Sequence, residues 1–212
     1  MSHDHEHDLT HLHDRDFWEE RYAGDDRVWS GRANGTVVSE VAGLVPGTAL
    51  DVAAGEGGDA IWLAQHGWTV TALDVAENAL ARGRAAAQSV GVADRVTWVR
   101  ADARTWSTDE RFDLVTSAYL HLPLGIRERW LVAVAALVAP GGSLVVVGHH
   151  GSDTEVVDRP HPKEMFADAA DLAAVLGDDE WETVTAAKVP RPATVDGEEI
   201  TLHDAVLHLR RR

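Results

Sequence analysis

Leu50-Asp51-Val52-Ala53-Ala54-Gly55-Glu56-Gly57-Gly58, followed after Asp59 by Ala60-Ile61-Trp62-Leu63-Ala64-Gln65, reads as a buried strand running through a glycine-rich turn into a helix. A turn of this kind lets backbone approach a ligand closely, at the place where doubly wound sheets bind nucleotides. Taken alone, it is equally well a tight strand-to-helix turn that binds nothing. Two acids shift that balance. Asp74 ends the next apolar run, 74 − 55 = 19 residues after Gly55, and Asp102 ends the one after that. Either could cap a helix, but together they line one rim of a sheet, and an acid at the first of these places accepts hydrogen bonds from ribose hydroxyls. The turn reads Asp51-x-x-x-Gly55-x-Gly57, with Ala53 at the first glycine position of the dinucleotide fingerprint. An acid four residues before the glycine suits a ligand bearing an amine rather than a diphosphate, so the pattern points to a cationic nucleoside.

Outward from the turn the chain is regular. Apolar runs at 48–53, 68–74, 96–100, 112–118 and 143–148 have the β-branched and leucine-rich character of strands buried on both faces. Between and after them, Leu80, Gly83, Ala87 and Val90, then Ile126, Trp130, Val134 and Leu137, then Met165, Ala169, Leu172 and Leu176 recur at helical spacing. Two short helices are expected earlier, over 16–23, with Phe17 and Tyr22 near one face, and over 36–43. Runs at 181–189 and 202–209 have no helix between them and read as an antiparallel edge pair joined by a loop carrying Pro190, Pro192 and Gly197. The expected fold is α/β: a doubly wound, mostly parallel seven-stranded sheet with helices on both faces and an antiparallel C-terminal strand.

The 212 residues suit one domain, here 15–212, preceded by an arm at 1–14 in which His3, His5, His7, His11 and His13 alternate with carboxylates. That arm lacks the composition to pack a core and reads as disordered, with weak metal binding through its imidazoles as its only evident chemistry. Without cysteine there is no disulfide, thiolate nucleophile or cysteine-ligated metal, and no metal site is expected in the core. The formal charge of 19 − 35 = −16 repels phosphates, which argues against nucleic acid and for a small-molecule partner. No run is long enough to cross a membrane, and the first residues have neither a basic nor an apolar targeting region, so a cytoplasmic chain is expected.

In order, LDVAAGEGGDAIWLA, VTALDVAENAL, VTWVRADARTW, FDLVTSAYLHLP and LVAPGGSLVVVGHH make residues 16–212 resemble the class I S-adenosylmethionine-dependent methyltransferases. The leader FWEERYAGDDRVWSGRAN is similar to that of the small bacterial branch akin to tellurite-resistance and thiopurine methyltransferases, which often has proline where Ala33 stands; the family usually has glycine at Ala53. The resemblance implies S-adenosylmethionine as cofactor and methyl transfer to a small molecule. By position, it implies Asp51, Ala53, Gly55 and Gly57 around the methionyl end, and Asp74 on the ribose. Val75 would pack on adenine, Asp102 and Ala103 would meet its edge, and Ala118 would offer backbone to the amine. Trp18, Tyr22 and above all Trp29 would close over the site as part of a lid at 15–45, although aromatic residues at such spacing are often core.

Displacement at a sulfonium needs alignment and exclusion of water, and a general base only for an acceptor that arrives protonated. His121, His149 and His150 follow strands that end at the rim and are the candidate catalytic residues; the bland alternative is loop histidines bonded to backbone or water. The aperiodic stretch 149–162 is a candidate binding loop, with Arg159 and His161 beside His149 and His150 as possible acceptor contacts. Two other readings remain open: another transferase on the same scaffold, such as an aminopropyl transferase, and a metal-responsive binding protein acting through the histidine arm.

Overall fold

Strand β1 (Thr48–Val52) is buried at every residue after the first, as a strand covered on both faces must be. In the computed structural model, which describes residues 14–24, 26–159, 162–195 and 197–212, β1 pairs in parallel with β2 (Thr69–Asp74) on one side and β4 (Phe112–Ala118) on the other. Strand β3 (Val96–Arg100) adds beside β2, and β5 (Val138–His149) beside β4. The sheet has seven strands in the order β3-β2-β1-β4-β5-β7-β6, where β6 (Trp181–Val195) and β7 (Glu198–Arg211) are the antiparallel members. Because the winding reverses between β1 and β4, their carboxyl ends flank the crevice in which open α/β sheets hold ligands.

Alternation along β1 sends Leu50 and Val52 to one face and Ala49 and Asp51 to the other. The first face packs on α5 (Ile126–Ala135) and α6 (Ala169–Leu176) through Trp130, Leu131 and Leu172. The second meets α2 (Gly35–Val41) and α3 (Gly58–Gln65) through Val37, Val41 and Leu63, and α4 (Glu77–Ser89) through Ala87. Asn34 caps α2, its side chain accepting from the backbone N–H of Thr36 and Val37 at 2.8 and 3.2 Å.

Three local expectations are corrected. Pro190 and Pro192 lie inside β6 rather than in a loop, a place open to them because β6 is the outermost strand and an edge strand can spare N–H groups that face solvent. Met165 closes a short 3₁₀ turn (Lys163–Met165), and α6 begins only at Ala169 because Phe166 and Asp168 are extended. In α1 (Arg15–Arg21) the aromatic that faces Tyr22 is Trp18, stacked at 6.1 Å, while Phe17 meets Trp18 edge-on. No helix among the described residues is long and apolar enough to cross a membrane.

Candidate active site

The turn after β1 is bent by three left-handed residues at alternate positions, Ala53 (φ 58°), Gly55 (φ 54°) and Gly57 (φ 79°). For Gly55 the demand is double: a Cβ would stand 3.1 Å from the Tyr22 hydroxyl and 3.8 Å from the Trp29 ring. Gly57 answers to something else. Its Cβ would drive into Trp98 at 2.3 Å, and the same indole lies 2.4 Å from the Cβ position of Gly83, so Gly57 serves packing behind the turn and is not on the wall of the cavity. Ala53 carries its left-handed conformation with a side chain in place, which costs roughly 1–2 kcal/mol relative to glycine's freedom.

A cavity of about 920 Å³ opens over the carboxyl ends of β1, β2 and β4, large enough for a nucleoside-sized ligand together with an acceptor. Asp51, Ala53, Gly55, Asp74 and Val75 line it, with Asp102, Ala103 and Ala118 further along the rim. Asp74 is buried; its two carboxylate oxygens accept from the backbone N–H of Gly55 at 2.8 Å and of Ala76 at 2.9 Å. The acid that was to meet a ribose therefore also ties the glycine turn to the end of β2. Burial raises its pKa, against the pull of those backbone bonds. Asp51 is almost wholly buried. One oxygen accepts from the Thr116 hydroxyl at 3.1 Å, and Oδ2 has no hydrogen-bond partner among the described residues. Its pKa lies well above the carboxylate range, chiefly from burial and then from the charge of Asp59. Asp59, which accepts from the Asn34 backbone at 2.6 Å, is pushed by burial to about 6. Asp102 is claimed by Arg104, whose guanidinium binds both its oxygens at 2.6–3.0 Å.

One end of the cavity thus gathers the buried carboxyl groups of Asp51, Asp59 and Asp74. Its roof is the N-terminal segment, held by residues that the motifs did not reveal. Arg82 of α4 donates to Glu56 at 2.8 Å and to the carbonyls of Tyr22 and Asp26 at 2.9 and 2.8 Å. Glu56 in turn accepts from the Trp29 backbone at 3.1 Å, and the Trp29 indole donates to the Tyr22 hydroxyl at 2.6 Å. Trp29 is 49% exposed and lines the cavity with Trp18 and Tyr22.

The other end is built where β4, β5 and the C-terminal strands meet. Tyr119, in a left-handed conformation (φ 61°), stacks on His149 at 4.1 Å, and His149 lies 5.1 Å from His121. Both histidines line the cavity, and burial is the main cause that lowers the His149 pKa. His150 does not line it. Its ring accepts from the Ser152 backbone at 3.1 Å and pairs with Asp168 at 2.9 Å, so the structure places this candidate catalytic residue one residue past β5, as the cap of the short turn Gly151–Glu155 and outside the cavity. Arg159 is brought into the cavity, as are Arg191 and Pro192 from β6. His161 and the arm residues His3, His5, His7, His11 and His13 lie outside the described residues. Among the described residues no group of three or more histidine or acidic side chains could hold a metal ion.

Residues 49–142, which run from the second residue of β1 through this turn and past β4, match the model of the methyltransferase domain family. Over this stretch the chain is similar to methyltransferase domains. It is 33% identical over 126 residues to the 2-heptyl-1-hydroxyquinolin-4(1H)-one methyltransferase of Mycobacteroides abscessus, a match that takes in 57% of this chain and 54% of that protein. The chain thus spans little more than half the length of that curated relative. Among solved structures, magnesium protoporphyrin IX methyltransferase of Synechocystis, with S-adenosylhomocysteine bound, superposes with a TM-score of 0.71 at 19% identity, covering 97% of this chain and 100% of that one. TehB of Haemophilus influenzae gives 0.68 at 18% identity, over 93% of this chain and 67% of the other. These structural likenesses establish that the methyltransferase domain has the fold expected from its motifs.

Proposed function

We propose that the chain binds S-adenosylmethionine in this cavity and catalyses transfer of its methyl group to a small-molecule acceptor. The observation that carries the reading is the acidic end: Asp51 offers a buried carboxylate oxygen with no side-chain partner among the described residues, flanked by Asp59 and Asp74 with raised pKa values. A buried charge left unpaired is costly, and a cationic amino-acid nucleoside supplies the missing positive charge. The bend at Gly55 lets its backbone reach the ligand without a Cβ in the way. These residues fit the cofactor. S-adenosylhomocysteine bound to the Synechocystis protein supports the same assignment.

When bound, the cofactor supplies a methyl group on a positively charged sulfur. The chain's own work is alignment and dryness. Asp74 would orient the ribose with the lone pairs left over from its two backbone bonds, and Val75, Asp102 and Ala103 would enclose the base. Asp51, Ala53, Gly55 and Ala118 would hold the methionyl end. The lid at 15–45, pinned by Arg82 and Glu56, would keep Trp18, Tyr22 and Trp29 over the reacting atoms. His149, kept neutral by burial, would take a proton from an acceptor that arrives protonated, with His121 beside it; an acceptor that arrives as an anion needs neither. The same reading places the protein in the cytoplasm. The metal-responsive alternative is not favoured, since the domain family and the curated relative both speak for methyl transfer.

Titration calorimetry of the full chain with S-adenosylmethionine and S-adenosylhomocysteine tests the proposal. Binding of both is expected, with methyl transfer to part of a screen of small acceptors using labelled cofactor. Absence of heat and of protection from thermal unfolding with either ligand would defeat it.

A further inference from the structure

The end of the cavity remote from the acidic turn has the opposite electrostatic character. Arg159 lines it, and its guanidinium Nε and Nη2 are buried with no hydrogen-bond partner among the described residues. Arg191, also on the wall, donates from Nε to Asp204 at 2.9 Å and lies 5.9 Å over the Tyr119 ring. Asp204, one of the two acids felt by Arg159, is already spent: fully buried, it accepts from Arg191, from the Thr36 hydroxyl at 2.9 Å and from the Tyr119 hydroxyl at 3.2 Å. Asp153, the other acid felt by Arg159, is engaged by His203 at 2.9 Å and by Ser152 at 3.2 Å. Burial keeps His149 neutral, so it adds no charge of either sign. Both carboxylates felt by Arg159 are thus committed to other partners, and neither bonds its Nε or Nη2 among the described residues. A guanidinium cannot shed its proton to escape burial as a histidine or lysine can.

Resting on the methyltransferase reading above, we infer that Arg159, supported by Arg191, is an anion-binding subsite for the acceptor, so that the molecule methylated is a small, flat-bodied anion. The stacked rings of Tyr119, His149 and His121, with Phe166 edge-on to His121 at 4.8 Å, form the wall against which its apolar body lies. The chemistry balances without a base. A lone pair of the anionic acceptor forms the bond to the methyl carbon as the carbon–sulfur bond breaks. The breaking pair stays on sulfur, so the sulfonium charge and the acceptor charge cancel and no proton leaves. The cavity is then acidic where the cation binds and basic where the anion binds, an arrangement that orients the two reactants toward each other.

Benzoate and its neutral isostere benzamide probe this subsite by calorimetry on the full chain, with and without saturating S-adenosylhomocysteine. Benzoate is expected to bind at least tenfold more tightly than benzamide, the effect of a charge-assisted bond. Arg159→Met is expected to remove that preference while S-adenosylhomocysteine affinity stays within twofold, and Arg159→Lys to keep part of it. Benzoate binding no tighter than benzamide in the unaltered protein, including no binding of either, overturns the inference without recourse to a variant. So does benzoate affinity that is unchanged within twofold in Arg159→Met. If S-adenosylhomocysteine fails to bind while the benzoate preference still depends on Arg159, the cofactor reading falls and the anion subsite stands.

Discussion

Replacing Arg82 by Met should loosen the N-terminal roof before it touches the sheet. The guanidinium holds Glu56 and the carbonyls of Tyr22, Gly24 and Asp26 at once, and so ties α4 and the glycine turn to the segment ending at Trp29. Its partner Glu56 has a side chain 4% exposed, while Arg82 itself is 22% exposed. Breaking a buried pair by removing one member costs about 3–5 kcal/mol, and partial exposure of the cation lowers that to about 2–3 kcal/mol. Methionine keeps most of the apolar stem, so lost packing adds little. The roof has other attachments: the Asn78 backbone and side chain each bond Glu19 at 3.1 Å, and Tyr22 packs with Ala76 and Ala79. The loss should therefore appear as local opening, below a global stability of about 5–15 kcal/mol. Native-state hydrogen exchange should speed up about 30- to 150-fold over Tyr22–Trp29 while β1 and β4 keep their protection, because about 1.4 kcal/mol is tenfold in an opening equilibrium. S-adenosylhomocysteine affinity should fall with it. Removing Glu56 as well, in Arg82→Met with Glu56→Met, should restore part of the loss, since the orphaned carboxylate is gone. Exchange at Tyr22–Trp29 unchanged within threefold in a folded Arg82→Met protein would refute the reasoning.

Further outcomes follow from the turn and its acids. Asp74→Ala should cost about 2–4 kcal/mol of stability as well as cofactor affinity, because two buried N–H groups lose their acceptor; a dissociation constant within twofold of the original in that variant, still folded, would contradict the ribose role. Gly55→Val should abolish cofactor binding by meeting Tyr22 and Trp29, whereas Ala53→Gly should bind normally and gain about 0.5–1 kcal/mol on relief of the left-handed alanine; equal binding by both variants would show that the turn does not approach the ligand. Asp59, pushed up by burial to about 6 against an unfolded value near 3.9, binds a proton in the folded state that the unfolded chain lacks between those values. Its contribution is thus greatest below about pH 4 and is lost as pH rises through 6, so Asp59→Asn should stabilise the ligand-free protein by about 1–2 kcal/mol more at pH 8 than at pH 5. Denaturant unfolding at the two pH values checks this, and an identical difference at both would reject it.

The parts of this protein that its sequence determined are those set by neighbours along the chain. Continuous apolar runs became the parallel strands because only a sheet covered on both faces accepts them, and two runs without an intervening helix became the antiparallel edge. The rim acids were legible too: Asp51, Asp74 and Asp102 lie at or just past the carboxyl ends of β1, β2 and β3, the edge at which such a sheet holds ligands, and all three line the cavity. Where tertiary structure decided, the deciding partner came from far away in the chain. Gly57 has the signature of a ligand-facing turn, yet Trp98 of β3 explains it; His150 stands beside His149 in sequence, yet Ser152 and Asp168 hold it outside the site. Arg82 and Glu56, 26 residues apart, have no motif between them, and their role exists only because α4 lies against the turn. The basic end is the clearest case. Arg159, Arg191 and Asp204 sit on a loop and the two C-terminal strands, and whether each charge is free or spent depends on burial and on which side chain lies within bonding distance. Sequence specifies which groups can ionise; only packing decides which of them is left without a counter-charge, because desolvation and pairing are properties of the folded neighbourhood.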